Sequence, residues 1–141
     1  MNSMGDAGRI QTRVRELSKS LLGGQFRAEV AAFIGLGEPP FWARRMAREL
    51  EIPENKVSVE LSRFATDGLL LAMPSAGWDR RTLYDRTTRR TVYWDNGLDL
   101  IRMAVEEQAG GPLGVNAGDA LGRYLKDVGW NLRSESTEAL E

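Results

Sequence analysis

Apolar residues recur every three or four positions along most of this chain, which is the spacing that brings them onto one face of a helix. Glycine or proline stands between one such stretch and the next, where helices commonly end or begin. The first stretch is amphipathic, because arginines and a lysine separate its apolar positions. The pattern predicts helices over residues 9–22, 26–34, 41–50, 54–67, 98–108 and 119–132.

The spacing changes after Gly68, where short runs rich in apolar, β-branched and aromatic residues replace the helical pattern. Turn-prone residues 74–79 and polar residues 86–89 separate these runs. We expect two or three short antiparallel strands, over residues 69–73, 80–85 and 90–94. The predicted fold is therefore mainly α with a small antiparallel β-hairpin or three-stranded sheet, which is an α+β arrangement.

The helices predicted over 41–50 and 54–67 are joined by a turn short enough to make them cross at a wide angle. Ala47 is small, which allows the two helices to approach closely. Apolar residues are spaced to fill the corner between them, namely Leu50, Ile52, Val57 and Leu61. The opposite face of the second helix is then left exposed.

This order of helix, helix, tight turn, helix and basic hairpin resembles the winged helix-turn-helix of the ArsR and MarR transcriptional regulators. Residues 57–70 are similar to the recognition helix and first wing strand of both families. Residues 79–81 (Asp-Arg-Arg) resemble the wing tip of MarR proteins, and residues 91–94 (Thr-Val-Tyr-Trp) resemble the returning wing strand of ArsR proteins. The chain departs from the pattern at Glu51, where a glycine is common, and at residues 86–89, which lengthen the wing.

The resemblance implies four regions along the chain. Residues 1–24 form an N-terminal tail and amphipathic helix, and residues 25–96 form a winged helix-turn-helix that binds DNA. Residues 97–132 carry C-terminal helices expected to dimerise, and residues 133–141 form a flexible tail.

The exposed face of the predicted recognition helix supplies candidate residues for reading bases in the major groove of DNA. Counting 100° per residue from Val57 places polar side chains and one valine away from the core or beside that face. The candidates are Asn55, Lys56, Ser58, Val59, Ser62, Arg63 and Thr66. The alternative is an ordinary solvated helix face.

Arginines next to this helix supply candidate contacts to phosphate. From Trp42 to Trp94 ten basic residues stand against seven acidic ones, whereas from Leu98 onward four stand against eight. The candidates on the preceding helix are Arg44 and Arg45, together with Arg48. The candidates in the wing are Arg80, Arg81, Arg86, Arg89 and Arg90. The alternatives are a solvated helix face and a strand edge protected by charge.

The chain contains no cysteine and no histidine, which excludes disulfides, thiolate metal sites and imidazole acid–base chemistry. Its remaining carboxylates, serines, lysines and tyrosines form no recognisable catalytic motif, so we expect no enzyme activity, cofactor or metal. No apolar run is long enough to span a bilayer, and the N-terminus lacks the apolar core of a signal peptide. We therefore expect a cytoplasmic protein.

The sequence favours a bacterial-type transcriptional regulator that binds double-stranded DNA as a homodimer, because one recognition helix contacts few base pairs. The helices predicted over 9–22, 98–108 and 119–132 are the expected dimer surface. Nothing in the sequence identifies a small-molecule effector. The alternative is a winged-helix module that binds another protein and not DNA, an interpretation suggested by the net charge of −1.

Overall fold

The computed structural model describes residues 3–74, 81–87, 92–110 and 117–133. Its helices are α1 (Ser3–Leu17), α2 (Arg27–Leu36), α3 (Ala43–Leu50), α4 (Glu54–Thr66), α5 (Val92–Gln108) and α6 (Ala117–Asp127). A single π-helical turn, Ser18–Leu22, extends α1. The strands are β1 (Leu70–Pro74) and β2 (Thr82–Arg86). None of the helices in these ranges is long and apolar enough to cross a membrane.

Two clusters of buried side chains share helix α2. Val30, Phe33 and Ile34 join α2 to α3, α4 and β1 in the first cluster. Ala28 and Ala32 lie on the other side of α2 and pack into the second cluster, with residues of α1, α5 and α6. Helix α2 therefore connects the helix-turn-helix with the terminal helices.

The strands form a two-stranded antiparallel sheet in which Leu70 lies opposite Arg86 and Pro74 lies opposite Thr82. Phe41, just before α3, pairs with the middle of β2. Its N–H donates to the carbonyl oxygen of Tyr84 at 2.8 Å, and the N–H of Tyr84 donates back at 2.7 Å. This bridge fixes the hairpin against the start of α3.

The strand predicted over residues 90–94 is wrong, because Val92 is already the first residue of α5. Trp94 is buried in the first cluster, where its ring meets Phe64 edge-on at 5.2 Å. Its Cβ lies against Gly35, so a side chain at that position would overlap it. A segment whose composition favours a strand thus forms the first turn of a helix, because the helix places Trp94 in the core.

Several predicted boundaries also move. Helix α1 begins six residues earlier than position 9, α2 continues through Gly35, and α6 ends at Asp127 rather than at position 132. Residues 1–2, 75–80, 88–91, 111–116 and 134–141 lie outside the described residues. The mainly helical fold with a small antiparallel hairpin is confirmed, and its order of elements is that of a winged helix-turn-helix with additional terminal helices.

Candidate nucleic-acid interface

Helix α4 is held by one apolar face and exposes the other. Val57 and Leu61 are fully buried, and Phe64 is nearly so. The opposite side presents exposed side chains, which are Asn55, Lys56, Val59, Ser62, Arg63 and Thr66. Ser58 is half-buried beside them. The helical spacing thus brings six of the seven sequence-predicted residues of this helix onto one exposed face.

The turn between α3 and α4 depends on an unusual backbone conformation at Glu51. Its φ is 55°, in the left-handed region that normally favours glycine. This conformation lets the N–H of Ile52 donate to the carbonyl oxygen of Ala47 at 3.1 Å, which closes α3. The glutamate that departs from the family pattern therefore adopts the conformation a glycine would supply.

Helix α1 reaches this turn through Arg15. Its Nη2 donates to the carbonyl oxygen of Leu50 at 3.1 Å and to that of Glu51 at 3.4 Å. Its Nε donates to the carboxylate of Glu29 on α2 at 2.7 Å. Since carbonyls at a helix C-terminus carry partial negative charge, a guanidinium there is stabilising.

Glu29 is 1% exposed, so its carboxylate has lost almost all contact with water. Burial raises the pKa of Glu29, and the hydrogen bond and charge of Arg15 act in the opposite direction. Removing Arg15 would leave this carboxylate buried without its partner. The pair therefore fixes α1, α2 and the α3–α4 turn relative to one another.

Glu60 anchors α4 to α2 from the other side. Its carboxylate accepts a hydrogen bond from Nε of Arg27 at 2.9 Å, and Nε of Arg63 lies 4.0 Å from the same carboxylate. The Arg63 side chain remains 53% exposed. One carboxylate thus orients α4 while leaving Arg63 accessible at its surface.

A groove of about 700 Å³ lies between α3, α4 and β2, and we call it the basic groove. Its lining includes four arginines, of which Arg45 is buried, and the hydroxyl side chains of two serines and a threonine. These residues are Arg44, Arg45, Arg48, Arg81, Ser58, Ser62 and Thr82. Trp42 and Tyr84 contribute aromatic surface, and the guanidinium of Arg81 lies 5.0 Å from the Trp42 ring centroid. Arg44 is 82% exposed and lies 3.6 Å from the carboxylate of Glu54.

Arg45 does not belong to this exposed set, contrary to the expectation that it contacts phosphate. Its side chain is 1% exposed. The guanidinium donates to main-chain carbonyls and lies over the aromatic rings of Phe33, Phe41 and Trp42. The accepting carbonyls belong to Glu38, Pro40, Leu132 and Arg133. Arg45 is a structural residue, since its hydrogen-bonding capacity is directed into the protein.

Arg86 was also expected to contact phosphate, but its guanidinium is bonded within the protein. Its Nη1 donates to the carbonyl oxygen of Ile34 at 2.6 Å and to that of Gly37 at 3.0 Å, and the guanidinium lies 5.8 Å from the Phe41 ring centroid. These bonds satisfy carbonyls at the C-terminal end of α2. This half-buried wing arginine therefore joins β2 to α2.

The remaining wing candidates Arg80, Arg89 and Arg90 lie outside the described residues. The sequence did not indicate that Trp42, which is 8% exposed, and Tyr84, which packs against the first cluster, lie beside the arginines of the basic groove. That Arg44 and Arg48 lie on the same side of α3 could be predicted from the sequence, because residues four apart on a helix share a face. The groove joins them to Arg81, a residue more than thirty positions away.

The fold has counterparts among solved structures. A probable transcriptional regulator from Pseudomonas aeruginosa aligns with a TM-score of 0.54 at 15% sequence identity, over 86% of this chain and 92% of that one. The transcriptional regulator BldR from Sulfolobus solfataricus aligns with a TM-score of 0.52 at 14% identity, over 88% of this chain and 86% of that one. No protein-family model and no curated protein matches the sequence. The similarity shows a shared fold across most of the chain.

Proposed function

We propose that this protein is a transcriptional regulator that binds double-stranded DNA sequence-specifically, with α4 in the major groove. The observation that carries the proposal is the exposed face of α4, which is polar apart from Val59 and adjoins the basic groove. A helix held by one apolar face at a tight turn is the element that enters the major groove in helix-turn-helix proteins. The two structural counterparts quoted above are described as transcriptional regulators, which agrees with the proposal.

Residues on the exposed face have the chemistry to distinguish base pairs. Asn55 is suited to pair with the N6 and N7 positions of adenine, and Val59 to contact a thymine methyl group. Lys56 and Arg63 are suited to the O6 and N7 acceptors of guanine. Of these, Val59 is 53% exposed, so its methyl groups are accessible for such a contact.

The basic groove is suited to hold the phosphate backbone beside the major groove. Arg44 on α3 and Arg81 before β2 flank the α4 hydroxyls of Ser58 and Ser62. Hydroxyl and guanidinium donors are the groups that most often contact phosphate oxygens. Such contacts set the orientation of the protein on the duplex, while the residues of α4 select the sequence.

The decisive experiment is selection of bound duplexes from a random pool, followed by measurement of Kd for the selected duplex by fluorescence anisotropy. We expect Asn55→Ala to relax selection at one position, at a cost of about 1–3 kcal/mol. A pool that yields no enriched sequence, together with no duplex binding at low salt, would contradict the proposal. Recovery of a protein partner under those conditions would favour the alternative winged-helix interaction module.

Phosphate contacts are tested separately by salt dependence. The double variant Arg44→Ala and Arg81→Ala should weaken binding to all duplexes and reduce the slope of log K against log salt by about 1.8, since each lost phosphate contact removes about 0.9. The double variant Arg9→Ala and Arg102→Ala, on the surfaces of α1 and α5, is the matched control and should leave the slope unchanged at an unchanged molecular mass. An unchanged slope in the double variant would remove the basic groove from the interface.

A further inference from the structure

The C-terminal segment 129–133 returns from α6 to the helix-turn-helix. Gly129 turns the chain with a φ of 82°, and the Trp130 ring then packs edge-on against Phe33 at 5.5 Å. The carbonyl oxygen of Leu132 accepts a hydrogen bond from the N–H of Glu38 at 2.7 Å. This segment is therefore attached to the loop between α2 and α3.

Buried Arg45 is the second attachment for this segment. Its Nη2 donates to the carbonyl oxygens of Leu132 and Arg133, at 3.3 Å and 3.0 Å. Arg45 also contributes to the lining of the basic groove, beside Arg44 and Arg48. Arg133, the last described residue of the chain, is thus hydrogen-bonded to a residue that contributes to the groove.

The residues that follow have the opposite charge to the groove. The sequence of residues 134–141 is Ser-Glu-Ser-Thr-Glu-Ala-Leu-Glu, with three glutamates and no basic residue. The groove offers Arg44, Arg48 and Arg81, with Glu54 as the one acidic residue among its described lining. Fully extended, these eight residues reach at most about 29 Å beyond Arg133.

We propose that residues 134–141 bind in the basic groove and compete there with the phosphates of DNA. The proposal rests on the DNA-binding function proposed above and adds a regulatory partner, which is a segment of the same chain. Attachment at Arg133 makes the competition intramolecular, so the segment acts at an effective concentration on the order of millimolar even though each ion pair is weak. Because the ion pairs are between exposed groups, salt weakens the competition.

The first test measures DNA affinity with the full-length chain. The variant Glu135→Gln, Glu138→Gln and Glu141→Gln keeps the length of the segment and removes its charge. At about 50 mM salt we expect it to bind the selected duplex at least about threefold more tightly than the natural chain, and the difference to vanish near 0.5 M salt. The matched control Asp99→Asn, Glu106→Gln and Asp127→Asn makes the same change in net charge on α5 and α6, and at an unchanged molecular mass should change the Kd less. Equal effects of the two triple variants would overturn the proposal.

The second test detects the contact without DNA. The chain has no cysteine, so Ala139→Cys provides a single position for a nitroxide label. We expect the label to broaden the amide signals of Arg44, Ser58 and Thr82 at low salt, and this broadening to disappear when the three glutamates are replaced by glutamine. Equal broadening with the charged and the neutral segment would overturn the proposal.

The two tests separate failure of this proposal from failure of the proposed function. If broadening depends on the glutamates and no duplex binds, the segment occupies the groove but the protein is not a DNA-binding regulator. If a selected duplex binds and the glutamine variant has an unchanged Kd, DNA binding stands and competition by the segment is wrong.

Discussion

At the scale of single residues, the contrast between Arg44 and Arg45 shows how burial decides the role of a charge. Arg44 is 82% exposed, whereas Arg45 is 1% exposed. A step of 100° around α3 turns one side chain to solvent and the other into the first cluster. Burying a guanidinium is costly unless its donors are satisfied, and here main-chain carbonyls and aromatic rings satisfy them.

We predict that replacing these neighbours with methionine has very different effects on stability. Arg45→Met leaves several buried carbonyls without a donor and detaches Arg133, so we expect a loss of about 2–4 kcal/mol in the free energy of unfolding. Arg44→Met is the matched control and should change it by less than about 0.5 kcal/mol. Urea unfolding followed by circular dichroism measures both. Similar losses in the two variants would show that Arg45 is not the structural residue described here.

The sequence shows two adjacent arginines and offers no basis for separating them. Their difference depends on carbonyls near position 132, almost ninety residues away, which no local pattern predicts. Arg86 was misassigned for the same reason, since its partners on α2 are about fifty residues distant. The exposed face of α4 was predictable, because Val57 and Leu61 alone define the direction of the core.

At the scale of elements, predictability follows the strength of local periodicity. Helices α3 and α4 begin and end within two residues of the predicted bounds, because their apolar residues repeat regularly and Pro53 separates them. The wing was harder to predict from the sequence. Its third predicted strand is the start of α5, and β2 pairs not only with β1 but also with Phe41, which lies before α3. Strand pairing between distant residues leaves no periodic signal in either segment.

Helix α5 packs on α2 closely enough to require a glycine. A Cβ at Gly97 would overlap the carbonyl oxygen of Ala28 and lie 3.0 Å from both the Cβ of Ala31 and the nitrogen of Ala32. This contact joins the two buried clusters, because Ala28 belongs to the second and Ala31 to the first. The absence of a side chain at Gly97 therefore sets the distance between the helix-turn-helix and the terminal helices.

We predict that Gly97→Ala costs about 1–3 kcal/mol in the free energy of unfolding, since the backbone of α2 cannot yield as a flexible side chain would. Gly122→Ala on α6 is the control, because a Cβ there meets nothing within 4 Å. Because alanine has a greater helix propensity than glycine, this substitution should stabilise the protein by about 0.5–1 kcal/mol. Thermal unfolding should thus move in opposite directions for the two variants, and a shift of the same sign would contradict the packing of α5 on α2.

At the scale of the whole molecule, hydrogen bonds and shared buried clusters connect the terminal helices to the proposed recognition helix. Arg15 joins α1 to the α3–α4 turn, and Arg45 joins the segment after α6 to α3. Helix α2 lies between the two clusters and belongs to both. A change in how the terminal helices pack against a second copy would therefore alter the position of α4.

The proposed homodimer makes a final prediction about mass and about spacing on DNA. Light scattering should give twice the 15.7 kDa of one chain. Met103→Glu, at a side chain 44% exposed on α5, should shift the mass toward the monomer, whereas Leu71→Glu, 56% exposed on the wing strand, should not.

A two-fold dimer places its recognition helices about 34–36 Å apart or a multiple of that, so selected duplexes should be palindromic with half-sites one or more turns apart. Inserting about 5 bp between the half-sites rotates one by half a turn and should reduce affinity to that of a single half-site. A chain that stays monomeric at micromolar concentration and binds a single half-site as tightly as the palindrome would contradict dimerisation through the terminal helices.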